Sequence, residues 1–274
     1  MPDTKRYIRI ALLDLYAGEP NEGMRCLRQI MATYSEQHQL SVEIKEFECR
    51  LAEEIPDLSF DIYISSGGPG DPTGNDASHW EEKYFNWISE VLKWNTDPCN
   101  KEKKHVFFIC HSFQMACRFF NVAIISKRKS PAFGVFPVHR LDDGQNDQIF
   151  KHLHDPFFVV DSREYQVLQP NYNELEKLNG RILAIEKERP HVPLERAVMA
   201  MRFNQYMVGT QFHPEADAVG MARYLQSAEK KRMVIENYGI EKWKDMLLHL
   251  NDPDKILWTY KHIIPNFLDE ARGI

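Results

Sequence analysis

Apolar residues fall along the chain in two rhythms. Mostly apolar runs at Tyr7–Leu15, Asp61–Ser65 and His105–Ile109, and an alternating one at Ser41–Phe47, predict strands. Between them apolar residues recur at helical spacing: Met24, Leu27, Ile30, Met31 and Tyr34 within Asn21–His38, and Trp80, Tyr84, Trp87, Ile88, Val91 and Leu92 within Trp80–Trp94. The second stripe is read as core rather than as a ligand box. Strands alternating with helices of this length predict a mostly parallel α/β sheet with helices on both faces.

After residue 120 the pattern shortens. Val122–Ser126 and Phe133–His139 are expected as two short strands, Leu141–Leu153 as a polar loop leading into a short helix, and Phe157–Val160 with Tyr165–Leu168 as a hairpin. Ile182–Ile185 is a further strand, Glu188–Leu194 a loop with two prolines, and Ala197–Phe203 pairs with Tyr206–Phe212 about Asn204-Gln205. From Ala218 the pattern is helical: Met221–Tyr238, Glu241–Leu250 and Pro253–Ala271, the last opened by Asn251-Asp252-Pro253. The expected organisation is therefore a domain over 1–217 and a helical extension over 218–274. That extension is expected to pack over the sheet edge or to recruit a partner.

Composition narrows the classes. A net charge of −6 with no strong Lys/Arg block argues against a nucleic-acid partner. No run of 18 apolar residues and no apolar leader occur, so neither a membrane span nor a signal peptide is expected. Five cysteines without CxxC pairing fit free thiols in a reducing, cytoplasmic setting, and argue against structural zinc. No metal or cofactor is expected.

One stretch carries chemistry, His105–Phe120 (HVFFICHSFQMACRFF). A strand ends at Ile109, the chain turns at Cys110, and helical spacing follows at Met115, Ala116, Phe119 and Phe120. A reactive side chain on a strand-to-helix turn is a nucleophile elbow. Backbone N–H groups and the dipole of the helix start favour a thiolate and can hold an oxyanion. A buried free cysteine serving only as a small hydrophobe is the bland alternative. Upstream, Ser65–Gly74 (SSGGPGDPTG) suits an oxyanion or anion-cradling loop, or an ordinary turn; it lacks the spacing and the lysine of a P-loop. Downstream, His213 and Glu215 follow a strand end. In an open parallel sheet the strand ends share one edge, so Cys110, His213 and Glu215 can meet there as nucleophile, base and orienting acceptor.

Three signatures in this order, SGGP at Ser66–Pro69, C-x-x-x-Q at Cys110–Gln114 and FHPE at Phe212–Glu215, resemble the class I glutamine amidotransferase domain over roughly residues 5–217, and within it the amidotransferase domain of GMP synthase. The resemblance implies a flavodoxin-like core and hydrolysis of L-glutamine to glutamate and ammonia through a γ-glutamyl thioester on Cys110. It implies that His213 acts as base and acid and that Glu215 orients it. Backbone N–H groups near Gly68 and His111 would form the oxyanion hole, and Gly67 and Gln114 would contact the substrate. The family elbow G-x-C-x-G-x-Q has Phe108 and Ser112 at its glycine positions here, which implies a repacked elbow. The family's Ser-His-x-Asp-like segment is matched most nearly by Asp161–Tyr165, where Arg163 or Glu164 is the candidate to bind a zwitterion. No synthetase domain follows, so ammonia would pass to a separate synthetase subunit, or the chain would act alone on glutamine or another γ-glutamyl compound.

Three competing readings stand beside this one. Cys110-His111 is similar to the Cys-His step of DJ-1/PfpI hydrolases, which leaves His213-Pro214-Glu215 unexplained. A γ-glutamyl hydrolase or peptidase keeps the three residues and changes the leaving group. A regulatory binding module would keep the fold without the chemistry.

Overall fold

The computed structural model describes residues 7–74, 78–250, 252 and 255–274, with side chains described except at 229, 237 and 249. Strand β1 (Tyr7–Asp14) leads to α1 (Gly23–His38), β2 (Ser41–Glu48), β3 (Ile62–Ser65) and α2 (His79–Thr96). The elbow follows as β4 (His105–Ile109) and α3 (His111–Phe119). Next come β5 (Ile124–Arg140), the one-turn α4 (Asp142–Gln145), β6 (Phe157–Leu168), α5 (Tyr172–Leu178), β7 (Arg181–Glu186), β8 (Val198–Asn204) and β9 (Met207–Thr210). Four helices close the chain: α6 (Ala218–Gln226), α7 (Ala228–Tyr238), α8 (Ile240–Leu250) and α9 (Ile256–Arg272).

The strands form one sheet in the order β2-β1-β3-β4-β9-β8-β7-β5-β6. The first five are mutually parallel, with β9 in the fifth place of a flavodoxin-like 2-1-3-4-5 order. Beyond them β8 and β5 reverse while β7 and β6 return, so seven of the nine strands point one way. This is the mostly parallel α/β sheet that the alternating pattern predicts.

Alternation along β1 sorts the core. Ile8, Ile10 and Leu12 face a layer built from α1 and α9, whereas Ala11 and Leu13 face α2 and α3. Trp80, Tyr84, Trp87, Ile88 and Val91 of α2 are buried, as expected of a core stripe. A third cluster joins Phe133 of β5 and Val160 of β6 to Met221, Leu225, Val234 and Met246 of α6 to α8.

Several boundaries differ from the sequence reading. The two fragments expected at 122–139 are one strand, β5, which tracks β6 on both sides of an irregularity between Lys127 and Ala132. The hairpin expected at 157–168 is likewise one strand, because both halves find their partner in β5. The helix expected over 221–238 is two: Ser227 leaves helical geometry and its side chain accepts from Lys230 N, capping α7. Short α5 has no counterpart in the sequence reading; Asn171 caps it by accepting from Glu174 N. Asn251 and Pro253 of the expected start signal lie outside the described residues, and the final helix runs Ile256–Arg272.

Candidate active site

Strands β1, β3 and β4 deliver their carboxyl ends to one edge of the sheet, beside the switch point where ligands bind in such folds. Cys110 occupies the turn between β4 and α3 with φ 48° and ψ −97°. A side-chain-bearing residue in this region carries strain of about 1–3 kcal/mol. Its neighbours hold it there: Cys110 N donates to Thr210 O at 2.8 Å, and Gln114 N donates to Cys110 O at 3.0 Å. The first N–H groups of α3 start immediately after the thiol, where a helix has no intrahelical partners for them.

Bulk at the two glycine positions is accommodated by specific contacts. Phe108 is fully buried edge-on against Phe203, 5.7 Å between ring centroids. Its register partner on β9 is Gly209, where a Cβ would stand 3.0 Å from Phe108 Cβ and 2.7 Å from Phe113 Cδ2. The space that the family elbow gains from its own glycine is supplied here by glycine on the adjacent strand. Ser112 Oγ donates to Ser65 O at 2.8 Å and accepts from Ile109 N at 2.8 Å, tying the elbow to the end of β3.

The Ser66-Gly67-Gly68 loop lies flush against this centre. A Cβ on Gly67 would fall 2.8 Å from His213 Cε1, 3.4 Å from the Tyr16 hydroxyl and 3.6 Å from Cys110 Cβ. A Cβ on Gly68 would meet Leu15 O at 2.2 Å, so only glycine fits there. Ser66 Oγ fastens the loop by accepting from Leu15 N at 2.9 Å and donating to Gly67 O at 2.8 Å.

His213 N donates to Val160 O at 2.9 Å, which fixes the segment after β9 against β6. Its Nδ1 meets Glu215 Oε1 at 2.8 Å, and Glu215 is buried. Burial disfavours an imidazolium, but the Glu215 carboxylate and the facing Cys110 outweigh it and hold His213 well above its ordinary pKa. His111 is the opposite case. Burial, with Arg50 and Arg118 nearby, pushes it down to about 3, so it is neutral and a poor base.

The remaining candidates divide. Gln114 is buried, and its Nε2 donates to Tyr165 O at 3.2 Å and to Gln211 Oε1 at 3.1 Å. Gln211 in turn presents Nε2 at 3.8 Å from Cys110 Sγ, so Gln114 reaches the thiol through a second amide. Arg163 does not reach the site. Its side chain has no exposed surface, and Nε binds Asp161 at 2.9 Å while Nη2 binds Glu186 at 3.0 Å. Alternation on β6 turns residues 161 and 163 to the same face. What the segment offers Cys110 is the carbonyl of Ser162, 3.6 Å from Sγ. Glu164 is exposed on the same strand. Sequence reasoning missed Tyr16, Ser162 and Gln211; Gln211 stands two residues before His213, and Tyr16 two after the end of β1. Among the described residues no group of His, Cys, Asp and Glu is disposed to hold a metal ion.

The family model for glutamine amidotransferase class-I matches residues 26–226. The chain belongs to the class I glutamine amidotransferase family. Comparison with curated proteins finds no match. Among solved structures, a glutamine amidotransferase from Thermotoga maritima superposes with a TM-score of 0.69 at 16% identity, covering 97% of this chain and 99% of that one. The CTPS glutaminase domain of Trypanosoma brucei, solved with bound acivicin, gives 0.57 at 15% identity, covering 97% and 94%. A protein assigned as a GMP synthase subunit from Thermoplasma acidophilum gives 0.50 at 16% identity, covering 76% and 85%. At these identities the likeness is one of fold.

Proposed function

We propose that this amidotransferase hydrolyses L-glutamine through a γ-glutamyl thioester on Cys110 and passes the ammonia to a separate synthetase subunit. The observation that carries the reading is the placement of the Cys110 elbow and the His213–Glu215 pair about Gly67. In the first half, the Cys110 thiolate adds to the substrate's δ-carbonyl carbon. The oxyanion so formed is held by backbone N–H groups at Gly68 and His111. Its collapse breaks the C–N bond while the His213 imidazolium gives its proton to the departing NH2 group, which leaves as ammonia. In the second half, His213 takes a proton from water, whose oxygen displaces Cys110 from the thioester and releases glutamate. Glu215 keeps the imidazole oriented and favours its protonated form. Gln211, backed by Gln114, sits against the sulfur. The free cysteines suit a reducing, cytoplasmic setting.

A γ-glutamyl hydrolase is the second reading, because it uses the same Cys110, His213 and Glu215 and differs from the first only in the leaving group. The deciding experiment is glutamate release from L-glutamine and from a panel of γ-glutamyl amides, with Cys110→Ala as control. Glutamine turnover that falls about 10³-fold or more in the variant supports the thioester route. Turnover of the panel but not of glutamine moves the assignment to a γ-glutamyl hydrolase. Turnover unchanged by Cys110→Ala sinks both.

A further inference from the structure

Asp161 and Glu186, the two carboxylates that hold Arg163, also wall a cavity of about 340 Å³ between β5, the end of β7 and helices α7 and α8. None of the residues around Cys110 lines it. Phe133, Phe136, Met199 and Met246 give it an apolar lining. Its polar wall is cationic. Arg128 and Arg189 both reach Glu186, Oε1 at 3.4 Å and Oε2 at 2.8 Å, and Lys187 stands over the Phe136 ring at 4.3 Å. Lys242, also on the wall, is paired with Asp245 at 3.2 Å. Leaving that pair aside, Arg128, Lys187 and Arg189 on the wall, with Arg163 behind it paired to the same two carboxylates, are four cations against Asp161 and Glu186, a surplus of two over the cluster.

Hydrogen bonding is incomplete in the same place. Arg189 Nε, on the cavity wall, is buried with no partner among the described residues. Buried guanidinium N–H groups are costly to leave without an acceptor. A phosphomonoester carries close to two negative charges at neutral pH and three acceptor oxygens, and guanidinium forks match phosphate oxygens. A carboxylate would balance only half the surplus. The apolar lining accounts for the other end of the molecule, and the volume is that of a mononucleotide-sized compound.

We propose that this cavity binds an organic phosphomonoester, its phosphate held by Arg189, Arg128 and Lys187 and its apolar or aromatic body against Phe133, Phe136 and Met246. The test is calorimetric titration of the full chain with adenosine 5′-monophosphate, adenosine, inorganic phosphate and adenosine-5′-carboxylate. It does not depend on the reaction at Cys110. The expected result is saturable binding of the monophosphate, at least about tenfold weaker binding of adenosine and of the carboxylate, and competition by inorganic phosphate. Arg189→Ala and Lys187→Ala, both at the less buried rim, should each weaken the monophosphate at least about tenfold while thermal melting stays cooperative. Absence of binding up to millimolar monophosphate overturns the proposal. So does an affinity unchanged in both variants, or adenosine binding as tightly as its phosphate.

Discussion

Two histidines near the elbow are pushed in opposite directions, and each leaves a mark on stability. His213 is raised above its ordinary value, so its contribution is complete below about pH 6.5 and is lost as pH climbs through the folded-state value. Glu215→Gln removes the carboxylate that sustains that charge. Between pH 6.5 and 9 the wild-type Tm should therefore fall more steeply than that of Glu215→Gln, as read by scanning calorimetry. Parallel curves would contradict the charged pair. His111, held neutral down to about pH 3, behaves conversely. Its unfolded form takes a proton near pH 6.5 and its folded form does not, so stability is lost as pH falls. In urea titrations, His111→Gln should lose about 2 kcal/mol less than wild type between pH 7 and pH 5, at ~1.4 kcal/mol per unit below pH 6.5. An equal loss would mean that His111 takes up a proton in the fold, as a base beside Cys110 would have to.

At the level of elements, the elbow works because β9 gives way to β4. Gly209→Ala places a methyl against Phe108 Cβ and the Phe113 ring, and over-packing of this kind costs about 1–3 kcal/mol. In a Phe108→Gly background the same change should cost less, and the shortfall measures the coupling of the two positions in a double-mutant cycle. Additive costs would show that the elbow does not depend on Gly209. The elbow itself was legible, since an apolar run ends at a reactive residue and helical spacing resumes at once. Its compensation was not, because Gly209 lies on a strand joined to β4 only by the fold. The same limit explains Arg163. A local likeness to a substrate-binding segment cannot say which face of a strand a side chain takes, and here that face belongs to Asp161 and Glu186. It also explains β5 and β6. The polar stretch Lys127–Ser130 reads as a break, yet pairing resumes beyond it because both strands continue together. Ser227 carried a capping signal that the surrounding helical spacing concealed.

For the whole molecule the question is whether residues 218–274 are an appendage. Helices α6 to α8 cover Phe133 and Val160 at one end of the sheet, while α9 returns to the face shared with α1. Its Phe267 ring lies 5.2 Å from that of Phe107 on β4, the strand that ends at Cys110. Polar ties fasten it as well: Arg202 bridges Asp147 and Glu270, Tyr34 donates to Asp269 at 2.6 Å, and Asn266 donates to Lys151 O at 2.8 Å. Phe267→Ala should therefore cost about 3–5 kcal/mol by urea unfolding, the range for emptying a buried aromatic site. Leu248→Ser, on a residue 70% exposed, should change stability by no more than about 0.5 kcal/mol. A chain ended at residue 217 uncovers the α9 face of the sheet along Phe107 and Ile109 and should not remain soluble. If it stays monodisperse, and Cys110 alkylates at the wild-type rate, the helices are dispensable to the site despite that packing. If it aggregates while Phe267→Ala is merely destabilised, α9 is a structural layer of the amidotransferase fold, and only α6 to α8 are left as the part of the extension that a partner could claim.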